Sequence, residues 1–330
     1  MSSSKKYSKF TLWSISALLL GACGGGGGGG SNGLAYTGPT SPATITADNG
    51  KQIVTEAYIN GEGGTALGTI FASATDARTS ISTTEDSGTP RIISVTQTLV
   101  GAVNRINLTT TNTRSVSRAT QTETDTIIGS CGGSEQYSIS FDDVTGNFSG
   151  TVTFTNYCEA GDTANGVMSM SGNVNPDTSV FGLMTMNFSS LTFSSSSDSF
   201  TIDGNITANL GAAPIVITSN LKLKDNSSGK VFWAENHVTT IYTVVAGEEI
   251  STTGRFYHPD YGYVELTTPT RMFIADTDEW PSSGVMIVTG ANNSKVKLTA
   301  ISNTTYNYEV DANGDGVYET QQLNQLWADL

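Results

Sequence analysis

Four carboxylate or amide side chains crowd into nine residues near the C-terminus, in Asp311-Ala312-Asn313-Gly314-Asp315-Gly316-Val317-Tyr318-Glu319. Side-chain oxygens at the first, third and fifth positions, a glycine at the sixth and a backbone carbonyl at the seventh suit a hard cation, which needs several oxygens gathered by a sharp turn. Asp311, Asn313, Asp315, the Val317 carbonyl and Glu319 are therefore candidate calcium ligands, and an ion held there is expected to be structural. The twelfth position holds Gln322 where a bidentate Glu would complete a helix-flanked loop, and the flanks Tyr306 to Val310 and Val317 to Gln321 alternate as strands do. A polar hairpin turn, with Asn and Gly satisfying positive φ, accounts for the same residues and stays open as the alternative.

Cys131 and Cys158 bracket a segment that reads as one hairpin, with Tyr137 to Phe141 and Phe148 to Phe154 on either side of Asp143-Val144-Thr145-Gly146. A turn centred between Val144 and Thr145 makes opposed residue numbers sum to 289. That register pairs Phe141 with Phe148, Ile139 with Gly150 and Tyr137 with Val152, which puts the apolar side chains on one face. Cys131 and Cys158 share the sum, so a structural disulfide between them is expected, with Gly132-Gly133 free to bend the ladder before they meet. A metal or redox pair would call for nearby histidine or CxxC spacing, and neither occurs. Only two histidines are present. His237 lies in an alternating strand and is expected at the surface. His258, in His258-Pro259-Asp260-Tyr261-Gly262, is expected in an exposed hairpin connection. No GxSxG, HExxH, P-loop or dinucleotide fingerprint is found.

Two periodicities divide the rest of the chain. Residues 34–128 read as a helix-containing N-terminal region, with the helical signals in 34–110. These are Ile53, Val54, Ala57 and Tyr58 after a cap at Asp48; Leu67, Ile70 and Phe71; and Ile92, Val95, Leu99, Val100, Val103 and Ile106 after Pro90. Their last stretch, 111–128, is rich in Thr, Ser and Arg without apolar period and reads as a linker or an exposed edge. From 129 to 330 the period is two. Strand patterns run over Thr151 to Cys158, Val167 to Val174, Leu183 to Phe193, Phe200 to Leu210, Ile215 to Leu223, Val231 to Val245, Val285 to Thr289 and Val296 to Ile301, with turn residues between them. Strands at hairpin spacing without intervening helices imply a mainly β fold: a curved antiparallel meander, half-barrel or barrel-like, carrying the N-terminal amphipathic helices on one face. A β-sandwich is the alternative.

The chain begins with Lys5, Lys6 and Lys9, an apolar stretch from Phe10 to Leu20, and then Leu20-Gly21-Ala22-Cys23 followed by seven glycines. The apolar stretch is too short to remain as a spanning helix. Together these features resemble the signal peptide and lipobox of bacterial lipoproteins. The resemblance implies diacylglyceryl transfer to the Cys23 thiol, cleavage before Cys23, and acylation of the new amine. Residues 1–22 would be the signal and 23–33 the lipidated cysteine and tether. Gly24, where an Asp often marks inner-membrane retention in that family, favours the outer membrane. A glycine-rich tether of ten residues spans roughly 17–19 Å. Beyond the lipobox, the glycine tether, cysteine-closed hairpin and Asp/Gly-rich loop resemble β-rich envelope lipoproteins of Gram-negative bacteria, which implies no chemistry.

Removing residues 1–22 leaves 13 basic and 30 acidic residues, a net charge of about −17. Such a surface repels phosphates, which excludes nucleic acid as a partner. The expected partners are the membrane, through the lipid, and an envelope protein, a glycan or an apolar ligand. Two functions of different kind fit. One is a non-catalytic binding or structural module; the other is a carrier enclosing a lipid or other apolar ligand in a half-barrel, while a carboxylate-based hydrolase fits less well. The inside of the sheet discriminates the first two.

Overall fold

The computed structural model describes residues 33–58 and 120–329, apart from residues 143, 160, 176–179, 196–198 and 279. Cys23, the helical patterns at 67–71 and 92–106, and the linker reading of 111–119 lie outside the described residues. Fourteen strands form one antiparallel sheet in strict sequence order: β1 (Thr120–Ile128), β2 (Gly132–Asp142), β3 (Asn147–Glu159), β4 (Asp162–Val174), β5 (Phe181–Ser194), β6 (Ser199–Asn209), β7 (Ile215–Asp225), β8 (Val231–Val244), β9 (Gly247–His258), β10 (Gly262–Ala275), β11 (Ser283–Thr289), β12 (Lys295–Ser302), β13 (Thr305–Asp311) and β14 (Thr320–Leu326). β1 and β14 do not pair, so the meander is open, and among the described residues there is no second sheet to make it a sandwich. β1 begins inside the segment read as linker or edge, and it is an edge strand.

Alternation sorts the strands into two faces. Tyr137, Ile139 and Phe141 on β2 point inward with Val152 and Phe154 on β3, while Ser138, Ser140, Thr151 and Thr153 point out. One apolar cluster covers the inner side of β2 to β8, and a second covers that of β9 to β13 together with Trp327 just after β14. On the outer side hydroxyls pair across strands, as in Thr122 with Ser140, Thr192 with Thr201 and Ser194 with Ser199, at 2.8–2.9 Å.

A row of β-bulges crosses the sheet from β3 to β8, and it explains how long strands bend into a curved surface. Asn156, Ser190 and Asn236 each adopt φ near +50°, and a side chain on the next strand accepts each freed N–H: Asn165, Asp203 and Asn220 respectively. Register shifts occur at the same places. The same device recurs at Asn324, whose N–H donates to Asn307. Where a neighbouring strand must approach the bulge, glycine supplies the room. Gly204 has φ +124° and a Cβ there would lie 2.0 Å from the Asn220 carbonyl oxygen.

The N-terminal segment passes through the sheet plane. Tyr36 packs on the outer rings of Trp233 and Tyr257, at 6.0 and 5.3 Å. The chain then pairs with β10 through Tyr263 at residues 41–43, donates and accepts near the β11–β12 turn, and buries Ala43 and Ile45 in the inner cluster. A helix over residues 50–58, α1, follows. Its cap is Thr46, two residues before the expected Asp48: Thr46 Oγ1 accepts the Asn49 N–H, the Thr46 carbonyl accepts the Gly50 N–H, and Asn49 Oδ1 reaches back to accept the Thr46 N–H. Ile53, Val54 and Ala57 face the sheet, as their spacing predicts, and Tyr58 meets Trp327 at 5.6 Å. Each such large side chain contributes roughly 1.5–3 kcal/mol when removed from water.

Candidate functional site

The loop between β13 and β14 draws together Asp311, Asp315 and Glu319, each of which places a carboxylate oxygen within 4.8 Å of the others. Asp311 ends β13 fully buried, and its two oxygens accept the N–H groups of Gly314 and Gly316 at 2.7 and 2.9 Å. Asn313 Oδ1 accepts from Asp315 N–H, and Asp315 Oδ1 from Val317 N–H, both at 2.8 Å. Asn313 Nδ2 donates to Glu319 Oε1 at 2.7 Å, while Asn293 from the β11–β12 turn donates to the Gly314 carbonyl. Gly314 and Gly316 have φ of +76° and +91°, which only glycine adopts without strain. Three of the five positions expected from the sequence, Asp311, Asp315 and Glu319, are thus brought together, with Asn313 tied to Glu319 through its amide nitrogen and Val317 tied to Asp315 through its N–H. Hard cations such as calcium match that donor chemistry.

At the other end of the sheet, β2 and β3 pair in the expected register: Phe141 with Phe148, Ile139 with Gly150 and Tyr137 with Val152. Cys131 and Cys158 form a disulfide, with Cα atoms 5.1 Å apart. The ladder slips by one residue at Gly132 to Ser134, so the bend at the paired glycines is real.

Both histidines are buried, contrary to the surface positions expected for them. His258 does close the β9–β10 hairpin, but the strand alternation of Phe256-Tyr257-His258 carries its ring inward. There Nε2 lies 2.8 Å from Glu56 Oε2 of α1 and Nδ1 accepts the Asp260 N–H at 3.0 Å. The ring also stacks near Tyr261. This imidazole fastens the helix to the sheet. His237 pairs with Ser219 across β7 and β8 on the inner face, and burial pushes its pKa down to about 4. The bulge at Asn236 turns it inward, which the sequence signalled only through an Asn in the middle of a strand.

Glu135 on β2 faces the apolar side beside Phe154, and burial pushes its carboxyl up to about 7. Neither Glu135 Oε1 nor His237 Nε2 has a hydrogen-bond partner among the described residues, and each such orphan costs about 1–3 kcal/mol. The two groups act oppositely with pH. The raised Glu135 value gives a contribution fully present below the ordinary carboxyl range near 4.5 and lost as pH rises through 7. The depressed His237 value gives one present above about 6.5 and lost as pH falls through 4. Glu135→Gln should therefore stabilise the protein at pH 8 by up to about 3 kcal/mol and leave it unchanged near pH 4. Urea unfolding at the two pH values checks this, and an equal effect at both would contradict it.

Comparison with known proteins finds no matching family model, no matching curated protein and no matching solved structure. The fold and these residues define the class: an open antiparallel meander with a hydroxyl-rich outer face, an apolar inner face, a disulfide at one end and an acidic loop at the other.

Proposed function

We propose that this chain is the precursor of a lipid-anchored protein of a bacterial cell envelope, with its curved sheet serving as a non-catalytic binding or structural module. The Leu20-Gly21-Ala22-Cys23 sequence, the basic and apolar stretches before it and the glycines after it support the anchor. Acyl chains on Cys23 contribute about 0.8 kcal/mol per buried methylene, and two chains exceed the reversible regime. The observation that carries the reading is where the tether meets the body. Leu34 N–H donates to Asp203 and Lys222 Nζ donates to the Leu34 carbonyl, both on the outer side of the sheet. In this reading the tether reaches the body on the hydroxyl-rich face, and Gly24 favours an outer membrane. That face offers donors and acceptors to a glycan or an envelope protein. Fractionation of Cys23→Ser against the parent tests the anchor: the variant should leave the membrane fraction or stay uncleaved.

The β13–β14 loop serves in this reading as a structural calcium site, with Asp311, Asn313, Asp315, Glu319 and the Val317 carbonyl as ligands. A ligand binding only the folded state at a hundred times its Kd stabilises by about 2.7 kcal/mol. Millimolar calcium should raise the melting temperature by several degrees, and Asp315→Ala should abolish the rise. An unchanged melting curve together with no heat of binding would leave an ordinary polar turn.

A further inference from the structure

The outer side of β2 to β7 carries two rows of uncharged polar side chains. One pairs Ser140 with Ser149, Ser171, Thr185, Thr207 and Thr218 in turn across the six strands. The other runs in the same register from Ser138 on β2 to Asn220 on β7 and holds only Ser, Thr and Asn. No register shift falls between the two rows, and each spans about 24 Å at the usual strand spacing. Every side chain in them is exposed or half-buried.

Further along the same side the outward acids have bases beside them. Arg255 holds Glu235 and Glu265, Arg271 holds Glu249, Lys297 holds Glu309, and Asp203 stands opposite Lys222. The outer side is therefore close to neutral, although the chain from residue 23 carries about −17. The tether enters on this side too. A Cβ on Gly33 would lie 3.0 Å from Asp203 Oδ1, Leu34 is held by Asp203 and Lys222, and Tyr36 packs on Trp233. Asp203 and Lys222 are each two residues along their strands from the second row, at Asn205 and Asn220. A glycine-rich tether of ten residues spans roughly 17–19 Å, so the rows begin about one tether length from the lipid.

We infer that the outer face of β2 to β7 is a docking surface for the headgroup layer of the membrane that holds the anchor. The inference rests on the lipid-anchor reading and goes beyond it by giving this face its partner. Ser, Thr and Asn side chains both donate and accept, which suits the phosphodiester, ester and amine groups of phospholipids. An acidic surface would be repelled by anionic lipid. Screening confines that repulsion to about 8 Å at physiological ionic strength, so only the charges on the near side count, and on this side they cancel. A protein partner would call for an aromatic or arginine anchor at the centre of the patch, and the two rows hold neither.

The test places the mature lipidated protein in nanodiscs of phosphatidylethanolamine and phosphatidylglycerol that contain a nitroxide-headgroup lipid. A fluorophore is attached through Ser149→Cys in the first row, or through Asp125→Cys, which alternation on β1 turns to the opposite side. Only the introduced thiol reacts, because Cys131 and Cys158 are bonded to each other and Cys23 carries the lipid. Quenching at position 149 should exceed that at position 125 at least three-fold and persist in high salt. Equal quenching at the two positions, or quenching at 149 that vanishes in high salt, would overturn the assignment. Adding Thr151→Asp and Ser171→Asp, both at exposed strand positions, should abolish quenching at 149 in these discs and leave it intact in phosphatidylcholine discs. An unchanged signal in the anionic discs overturns the role of the neutral rows. Protein that leaves the discs defeats the anchor reading and this inference with it, whereas protein that stays while both positions quench alike defeats this inference alone.

Discussion

Gly204→Val should cost about 4 kcal/mol or more of stability, enough to unfold a marginal domain. The residue has φ +124°, a conformation that a β-branched side chain adopts only under strain, and its Cβ would press to 2.0 Å from the Asn220 carbonyl oxygen on β7. Neither term can relax cheaply. The obstacle is backbone, and the Asn220 side chain is already engaged by the Asn236 N–H. Shifting β7 to relieve the clash would therefore break the bulge on β8 as well. Gly229 provides the contrast: it has φ +72° in a turn with nothing within 4 Å of an added Cβ. Gly229→Ala should lose only the local backbone preference, about 1 kcal/mol. Urea unfolding followed by circular dichroism separates the two, and equal losses would mean that the bulge row does not shape the sheet.

Opening the Cys131–Cys158 disulfide should be comparably costly. The bond closes a loop with a sequence separation of 27, for which the chain-entropy model gives about 3–4 kcal/mol through restriction of the unfolded state. It also holds the far ends of β2 and β3 beyond the point where the glycines interrupt their ladder. The double variant Cys131→Ser, Cys158→Ser should lower the unfolding free energy by that amount, moving the urea midpoint down, while keeping the register of Phe141 with Phe148, which the turn and the inner face fix independently. A midpoint unchanged from the oxidised parent would show that the bond constrains nothing the strands do not already hold.

The hairpin shows why some features were legible. Its register follows from a short turn and from period-two burial, both local, so opposed residues and the cysteine pair could be read from residue numbers alone. The acidic loop was legible for the same reason: apart from the Asn293 contact to Gly314, its hydrogen bonds run within nine residues. The bulge row was not, because each bulge is defined by two strands, one supplying the left-handed residue and the other the side chain or glycine that meets it. Asn165-Gly166 and Asp203-Gly204, each an acceptor followed by glycine in mid-strand, were the available signals. The same bulges rotate His237 from an expected surface position to the inner face. His258 was misplaced by its company: His-Pro-Asp-Tyr-Gly reads as an exposed turn, yet the ring belongs to the last inward position of β9 and is claimed by Glu56, some two hundred residues away. β9 and β10 lacked a clean pattern because Glu248, Glu249, Thr252, Arg255 and Pro269 interrupt the apolar alternation. At 111–128, a hydroxyl-rich edge strand and a linker look alike, since neither buries an apolar face.

The central claim is that Cys23 carries the lipid that holds this sheet at a membrane by its outer face. The most direct measurement is the mass of the N-terminal peptide of the mature protein, purified from the membranes of a bacterial host with lipobox processing. The account predicts a peptide starting at Cys23, heavier than its sequence by a diacylglyceryl group and an amine-linked acyl chain. A peptide of unmodified mass, or one starting at another residue in membrane-bound protein, would contradict it.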